Sequence, residues 1–377
     1  MGLPDPCEWT LTTRYPKGPR NQITDVPGVL VGHTTLRDES KNIHTGVTAI
    51  LPHGGNLFYQ KVMAGCCVIN GFGKSAGLIQ VEELGTIESP ILMTNTLSVG
   101  TALTAAVRYM LEQCPEIGVS AGTVNCIVTE CNDGALNDIR GLHVKETDVL
   151  AALCDAGIAF EEGDVGAGTG MICMGLKGGI GSASRILKYD GRPYTLGAIA
   201  LTNFGSAGNL RIDGRRVEMP PSDDKKDPAP AIHAGAGDMT SGASANTPAT
   251  SPAAASSGKD KGSVIIVLAT DLPLSDRQLK RTARRAVIGL GRVGSYIGNG
   301  SGDIAIAFST GNLVPQSSKQ TILETRMILD SALDRVFEAT AETVEEAVIS
   351  SLFHAHSVTG IRGRTVPCLH DCIRRKS

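Results

Sequence analysis

The chain is most constrained at one junction. Residues 221–261 are dominated by Pro, Ala, Gly and Ser and nearly lack large apolar side chains. Such a stretch cannot bury enough surface to offset its ordering entropy, and it reads as a flexible linker. Directly after it, Gly262-Ser263 leads into VIIVLATD, residues 264–271. An unbroken β-branched run of this kind reads as a buried central strand. Taken alone, the pattern is that of a domain linker followed by a strand; it is also the sequence form of a cleavable junction.

Short strands and helices are mixed on both sides of the linker. Val29–Val31, Val47–Leu51, Ile127–Thr129 and Ala198–Leu201 are strand-like, residues 99–113 carry helical periodicity, and residues 303–309 alternate as a strand. Ser275 to Gln278 forms a capping box, followed by one apolar helical stripe through Leu279, Ala283, Ala286, Val287 and Leu290 that ends near Gly291. Leu323 to about Ala339 reads as a helix, and a second box, Thr343 to Glu346, reads as the start of a final helix reaching His354. Mixed elements of this kind imply α/β layers. At 377 residues the length suits two small domains or one large α/β unit.

Composition excludes several classes of function. A net charge of -3 gives no general attraction to nucleic acid or to an anionic membrane. No stretch approaches the roughly 20 apolar residues of a membrane helix, and the N-terminal segment has no apolar signal core. A cytoplasmic location is the expectation, in which the ten cysteines stay thiols. Cys368, His370 and Cys372 lack the second ligand pair of a structural zinc site. Gly289 to Gly294 matches G-x-G-x-x-G but follows a helix instead of a strand, so it reads as a helix cap and turn. Gly166 to Gly170 lacks the lysine of a phosphate loop. Lys280, Arg281, Arg284 and Arg285 read as a solvated helix face, and His354 and His356 as bystanders.

The chemistry points to Ser263. If the peptide bond before it broke, this residue would carry both a hydroxyl and a free α-amine. An α-amine has a reference pKa near 8, so a good fraction is neutral at physiological pH and can accept the hydroxyl proton. The cut would make its own base, which is the logic of an N-terminal nucleophile. Gly262 suits the cut because no Cβ blocks a strained turn.

These residues resemble the L-aminopeptidase/D-esterase family, which includes the β-peptidyl aminopeptidases. The matching segments span nearly the whole chain: 23–33, 46–52, NGFGK at 70–74, PILMTNTLSVG at 90–100, 129–139, 163–171, LTNFG at 201–205, 262–285, and GNGSGDIAIAFSTGN at 298–312. The resemblance implies an α-β-β-α four-layer sandwich, like that of the N-terminal nucleophile hydrolases but with different connectivity. It implies self-cleavage between Gly262 and Ser263 into an α chain, 1–262, and a β chain, 263–377, that together form one folded unit. Ser263 matches the nucleophile, Ser301 and Asp303 the pair that positions and activates it, and Asn203 the side-chain donor to the oxyanion. Glu130 matches the carboxylate that holds the substrate ammonium. Asn132 falls where some members carry a Tyr lining the site.

The implied activity is release of N-terminal residues from short peptides, amides or esters through an acyl-enzyme. No metal or organic cofactor is expected, and the implied assembly is a homo-oligomer, a tetramer of αβ units. Two other readings stay open: an acyltransferase of the ornithine acetyltransferase type, which normally uses Thr where this chain has Ser263, and an uncleaved, non-catalytic homologue. Taken singly, Ser301 and Asp303 also read as turn and strand-start residues, Asn203 as a left-handed turn position and Glu130 as a surface charge.

Overall fold

The computed structural model describes residues 11–218 and 261–374. The stretch read as a linker lies outside the described residues except for Lys261, which already belongs to a strand.

Ten strands build two sheets. β1 (Leu30–Asp38), β2 (Ile43–Leu51), β3 (Gln60–Gly71), β4 (Thr86–Ile87), β5 (Ile91–Asn95) and β6 (Ile127–Cys131) come first. β7 (Ile180–Tyr189), β8 (Arg192–Asn203), β9 (Lys261–Thr270) and β10 (Gly300–Pro315) follow. The smaller sheet has the order β1-β2-β5-β6 and the larger β4-β3-β10-β9-β8-β7. β9 pairs parallel with β10 and antiparallel with β8. The apolar run after Ser263 is therefore bonded on both edges, as its unbroken β-branched composition requires.

Alternation along β9 decides the layering. Val264, Ile266 and Leu268 pack into a core shared with α4 (Asp276–Ala283), α5 (Ala286–Arg292) and α6 (Asp334–Phe353). Ile265, Val267 and Ala269 pack the other way, into a second core with Ile50, Ile91, Met93 and Ile127 of the smaller sheet and Val81 of α1 (Leu78–Leu84). The outer face of that sheet, with Val47, Ala49, Leu92 and Val128, packs on α2 (Val99–Gln113) and α3 (Glu146–Cys154). Side chains of period two thus divide cleanly between three cores, giving the four layers α-β-β-α.

Several elements differ from the sequence reading. The stripe from Leu279 to Leu290 is two helices, α4 and α5, broken at Arg284 and Arg285. The helix expected over 323–339 is irregular as far as Leu329, and α6 then runs through Thr343 without a break. Thr343 does not cap; its hydroxyl donates back to the Ala339 carbonyl one turn earlier, at 2.6 Å. Glu346 is occupied elsewhere, accepting from Arg185 at 2.5 Å and from Lys17 at 2.5 Å. Arg185 on β7 is wholly buried and also reaches Glu342 at 3.2 Å, so this ion cluster ties the larger sheet to its covering helix. Lys280 and Arg281 of α4 and Arg285 at the break are less solvated than expected, with Lys280 on Glu82, Arg281 on Asp330, and Arg281 and Arg285 over the Phe337 ring; Arg284 is exposed. Gly294, after α5, takes a φ of +101°, as a terminating turn requires. Among the described residues no helix is long and apolar enough to cross a membrane.

Candidate active site

Ser263 sits near the start of β9, at one end of the larger sheet. Its Cα partners are Asn203, the last residue of β8, and Gly302 on β10. Ser263 shares the alternation of Ile265 and Val267, and Asn203 that of Ile199 and Leu201, so both side chains belong to the face between the sheets. Directly opposed residues on one face of an antiparallel pair stand about 5 Å apart at Cβ. Two strand ends thus bring together a hydroxyl and an amide from residues 60 positions apart.

The hydroxyl of Ser263 donates to the Gly262 carbonyl oxygen at 2.7 Å. Gly262 has a φ of +138°, and a Cβ there would lie 2.0 Å from the Asn203 carbonyl oxygen. Only glycine fits this position. Gly302 is similarly confined: a Cβ would meet the Phe72 carbonyl oxygen at 2.5 Å and the Ser263 Oγ at 3.0 Å.

Asn203 is fixed at both ends of its amide. Oδ1 accepts from the Ile172 N–H at 2.9 Å, and Nδ2 donates to the Asn132 carbonyl at 2.9 Å. The left-handed residue of this turn is Gly205, with φ +88°, not Asn203. Asn132 contributes through its backbone; its own side chain is exposed and accepts from the Gly134 N–H at 2.9 Å. Ser301 and Asp303 lie on β10 in register with Gly262 and Val264, both buried, with the Ser301 hydroxyl donating to Asp303 Oδ1 at 2.6 Å. They are strand residues, not a turn.

Glu130, on β6 of the other sheet, is 3% exposed, so it is not a surface charge. Its Oε1 accepts from the Lys74 N–H at 2.9 Å and its Oε2 from the Thr96 hydroxyl. A buried carboxylate needs such partners. Neither Lys74 nor Thr96 stands out as a single residue, yet both lie in segments that carry the family resemblance, NGFGK and PILMTNTLSVG. Cys131 beside it is fully buried between the sheets. Burial, with Glu130 and then Asp303 nearby, holds its thiol well above the usual range.

Gly262, Ser263, Asn203, Ser301 and Asp303 lie on three neighbouring strand ends of the larger sheet, and Glu130 and Asn132 lie at the end of β6 in the facing sheet. A cleft of about 670 Å³ lined by Arg37, Glu162, Asp164, His354 and His356 contains none of them. Concavity alone would have pointed there; the convergent polar geometry lies at Ser263. Among the described residues no group of three or more His, Cys, Asp and Glu is placed to hold a metal ion.

A four-layer sandwich with a serine next to a glycine at the head of a central strand defines a hydrolase of the N-terminal nucleophile class. The model of peptidase family S58 matches residues 21–366, and the chain belongs to that family. It is a self-activating serine aminopeptidase.

A β-peptidyl aminopeptidase of Sphingosinicella microcystinivorans is 38% identical over 360 residues, covering 93% of this chain and 85% of the relative. The crystal structure of the PH0078 protein from Pyrococcus horikoshii superposes with a TM-score of 0.81 at 44% identity, covering 97% of each chain. The L-aminopeptidase D-Ala-esterase/amidase of Ochrobactrum anthropi gives a TM-score of 0.81 at 36% identity, covering 97% of this chain and 95% of that one. Its structure is described as a prototype for the serine aminopeptidases and a new variant among the N-terminal nucleophile hydrolase fold.

Proposed function

We propose that Ser263 is the nucleophile of both self-cleavage and peptide hydrolysis. The observation that carries this is the contact of its hydroxyl with the Gly262 carbonyl at 2.7 Å, in register with Asn203 and Gly302. In the precursor, Oγ adds to the Gly262 carbonyl carbon and the C–N bond breaks. The proton passes to the departing nitrogen, leaving an ester. Water then hydrolyses the ester, giving an α chain of 1–262 and a β chain of 263–377 that begins with a free amine.

In the mature site the Ser263 amine accepts the hydroxyl proton as Oγ attacks the substrate carbonyl. Asn203 Nδ2 has two N–H groups, of which one is held by the Asn132 carbonyl. The other donates to the developing oxyanion. Ser301 and Asp303 hold the amine and hydroxyl in register. Glu130 receives the substrate ammonium, which restricts cleavage to the first residue. Asn132 lines the same site, through the backbone that orients Asn203.

The substrates are short peptides or amino-acid amides and esters. The name of the Sphingosinicella relative extends the candidates to β-peptides. We place the enzyme in the cytoplasm as a tetramer of αβ units. A denaturing gel with N-terminal sequencing tests the reading. Wild type runs as two fragments, the smaller beginning Ser263-Val264, and Ser263→Ala runs as one inactive chain. An intact wild-type chain with full peptidase activity overturns it.

A further inference from the structure

Gly73 stands between Glu130 and the strand that carries the nucleophile. It follows β3, is half-buried, and lacks the positive φ that would make glycine a backbone requirement. A Cβ at this position would lie 3.6 Å from Glu130 Oε1, 3.7 Å from Ile304 Cδ1 and 3.9 Å from Gly302 Cα. These are ordinary van der Waals distances. The fold has room for a side chain at 73 and leaves it out.

The other glycines of the site behave differently. Gly262 and Gly302 are excluded from bearing a Cβ by backbone atoms at 2.0 Å and 2.5 Å. Neither conformation nor crowding explains Gly73. What its bare Cα preserves is the space bounded by a carboxylate oxygen on one side and Gly302, the Cα partner of Ser263, on the other. The carboxylate is held in place by the Lys74 N–H and the Thr96 hydroxyl, so it cannot swing away to make room.

An aminoacyl group anchored at Glu130 and attacked by Ser263 must span this space. The geometry points to Gly73 as a specificity-determining residue of the acyl site, its bare Cα forming the floor under the carbons that join the substrate's ammonium to its scissile carbonyl. The class of ligand is an aminoacyl group with a free, protonated amine. This assignment rests on the reading of Glu130 as the ammonium anchor. Self-cleavage places no ammonium at Glu130, so it does not use the space.

The test uses Gly73→Ala and Gly73→Ser in the full chain, with Glu130→Gln in parallel. Self-processing is followed on a denaturing gel, and KM and kcat are measured with an aminoacyl p-nitroanilide. Both Gly73 variants should process to the wild-type fragments. Their KM should rise about tenfold or more. Their kcat should stay within about threefold. A processed Gly73→Ala enzyme with unchanged KM overturns the assignment. So does stalled processing, or a fall in kcat without a rise in KM, because Gly73 would then serve the fold or the nucleophile. Glu130→Gln should raise KM by at least about 30-fold. If it does while Gly73→Ala does not, only the role of Gly73 fails. If KM is unmoved in Glu130→Gln, the anchor reading itself fails and the Gly73 assignment falls with it.

Discussion

A Cβ at Gly262 would stand 2.0 Å from the carbonyl oxygen of Asn203. The two backbones meet this closely because Asn203 is the Cα partner of Ser263, one residue on. Glycine is thus demanded by the same strand pairing that sets the amide of Asn203 beside the hydroxyl. Gly262→Ala has to displace either β8 or the carbonyl that Ser263 attacks, at a cost of about 1–3 kcal/mol in backbone strain alone. Unprocessed chain should accumulate, its half-time of cleavage lengthened at least about tenfold in a gel time course. Cleavage at the wild-type rate would show that the strand pairing does not hold the scissile bond.

Asn203 is already oriented by Ile172 and Asn132 before any substrate arrives, so its free N–H needs no reorganisation. Removing one such donor costs about 10²–10³ in kcat. Asn203→Ala should show that loss on an aminoacyl p-nitroanilide with KM changed far less. A kcat in Asn203→Ala equal to that of wild type would assign the oxyanion to other donors.

The Ser301 hydroxyl and the Asp303 carboxylate are buried together at 2.6 Å in the strand beside the nucleophile. A positioned acid–base group contributes about 10²–10⁴ to rate. Ser301→Ala and Asp303→Asn should each lower kcat by about 10²-fold, and the double variant should fall by no more than the worse single, because the pair acts as a unit. Additive losses measured in a double-mutant cycle would separate their roles.

Lys177 is wholly buried and gives its Nζ to the carbonyls of Gly168 at 2.9 Å and Gly178 at 2.6 Å. Burial lowers its pKa from 10.5 to about 7. A neutral amine still has two N–H groups for those two carbonyls. Between about pH 7 and pH 10.5 the unfolded chain holds a proton here that the folded chain has lost, so this residue makes stability rise with pH across that window. The effect is of the order of a few kcal/mol. In the uncleaved Ser263→Ala chain, which unfolds as one polymer, Lys177→Met should flatten the rise, as measured by denaturant midpoints at pH 7 and pH 10. A slope unchanged by the substitution would mean that the amine is charged in the fold.

The parts of this architecture that follow from local chemistry were legible in the sequence. The run after Ser263 is apolar on both faces and is a central strand; the Ser275 box closes as written, with the serine hydroxyl accepting from the Gln278 N–H at 3.3 Å. The Thr343 box fits the same pattern and fails, lying inside α6 with Glu346 drawn into the buried cluster with Arg185 and Lys17. No local pattern announces a wholly buried arginine 161 residues away. The site divides the same way. Gly262 and Ser263 stand out at the junction with an apolar strand, whereas Ser301 and Asp303, on the adjacent strand, are marked only by the family resemblance. The setting of Glu130 comes from a loop after β3 and a short turn after β5, which only the tertiary fold brings together.

β9 is stitched to β8 on one edge and β10 on the other, and the proposed cut falls after its second residue. Opening that bond converts one polymer into two that share a sheet. Folding of the precursor is a unimolecular search, whereas recovery of a melted mature molecule requires two separate chains to find each other. The mature protein then owes its persistence to how slowly it comes apart, and its useful lifetime is a matter of rate, with no reversible equilibrium behind it.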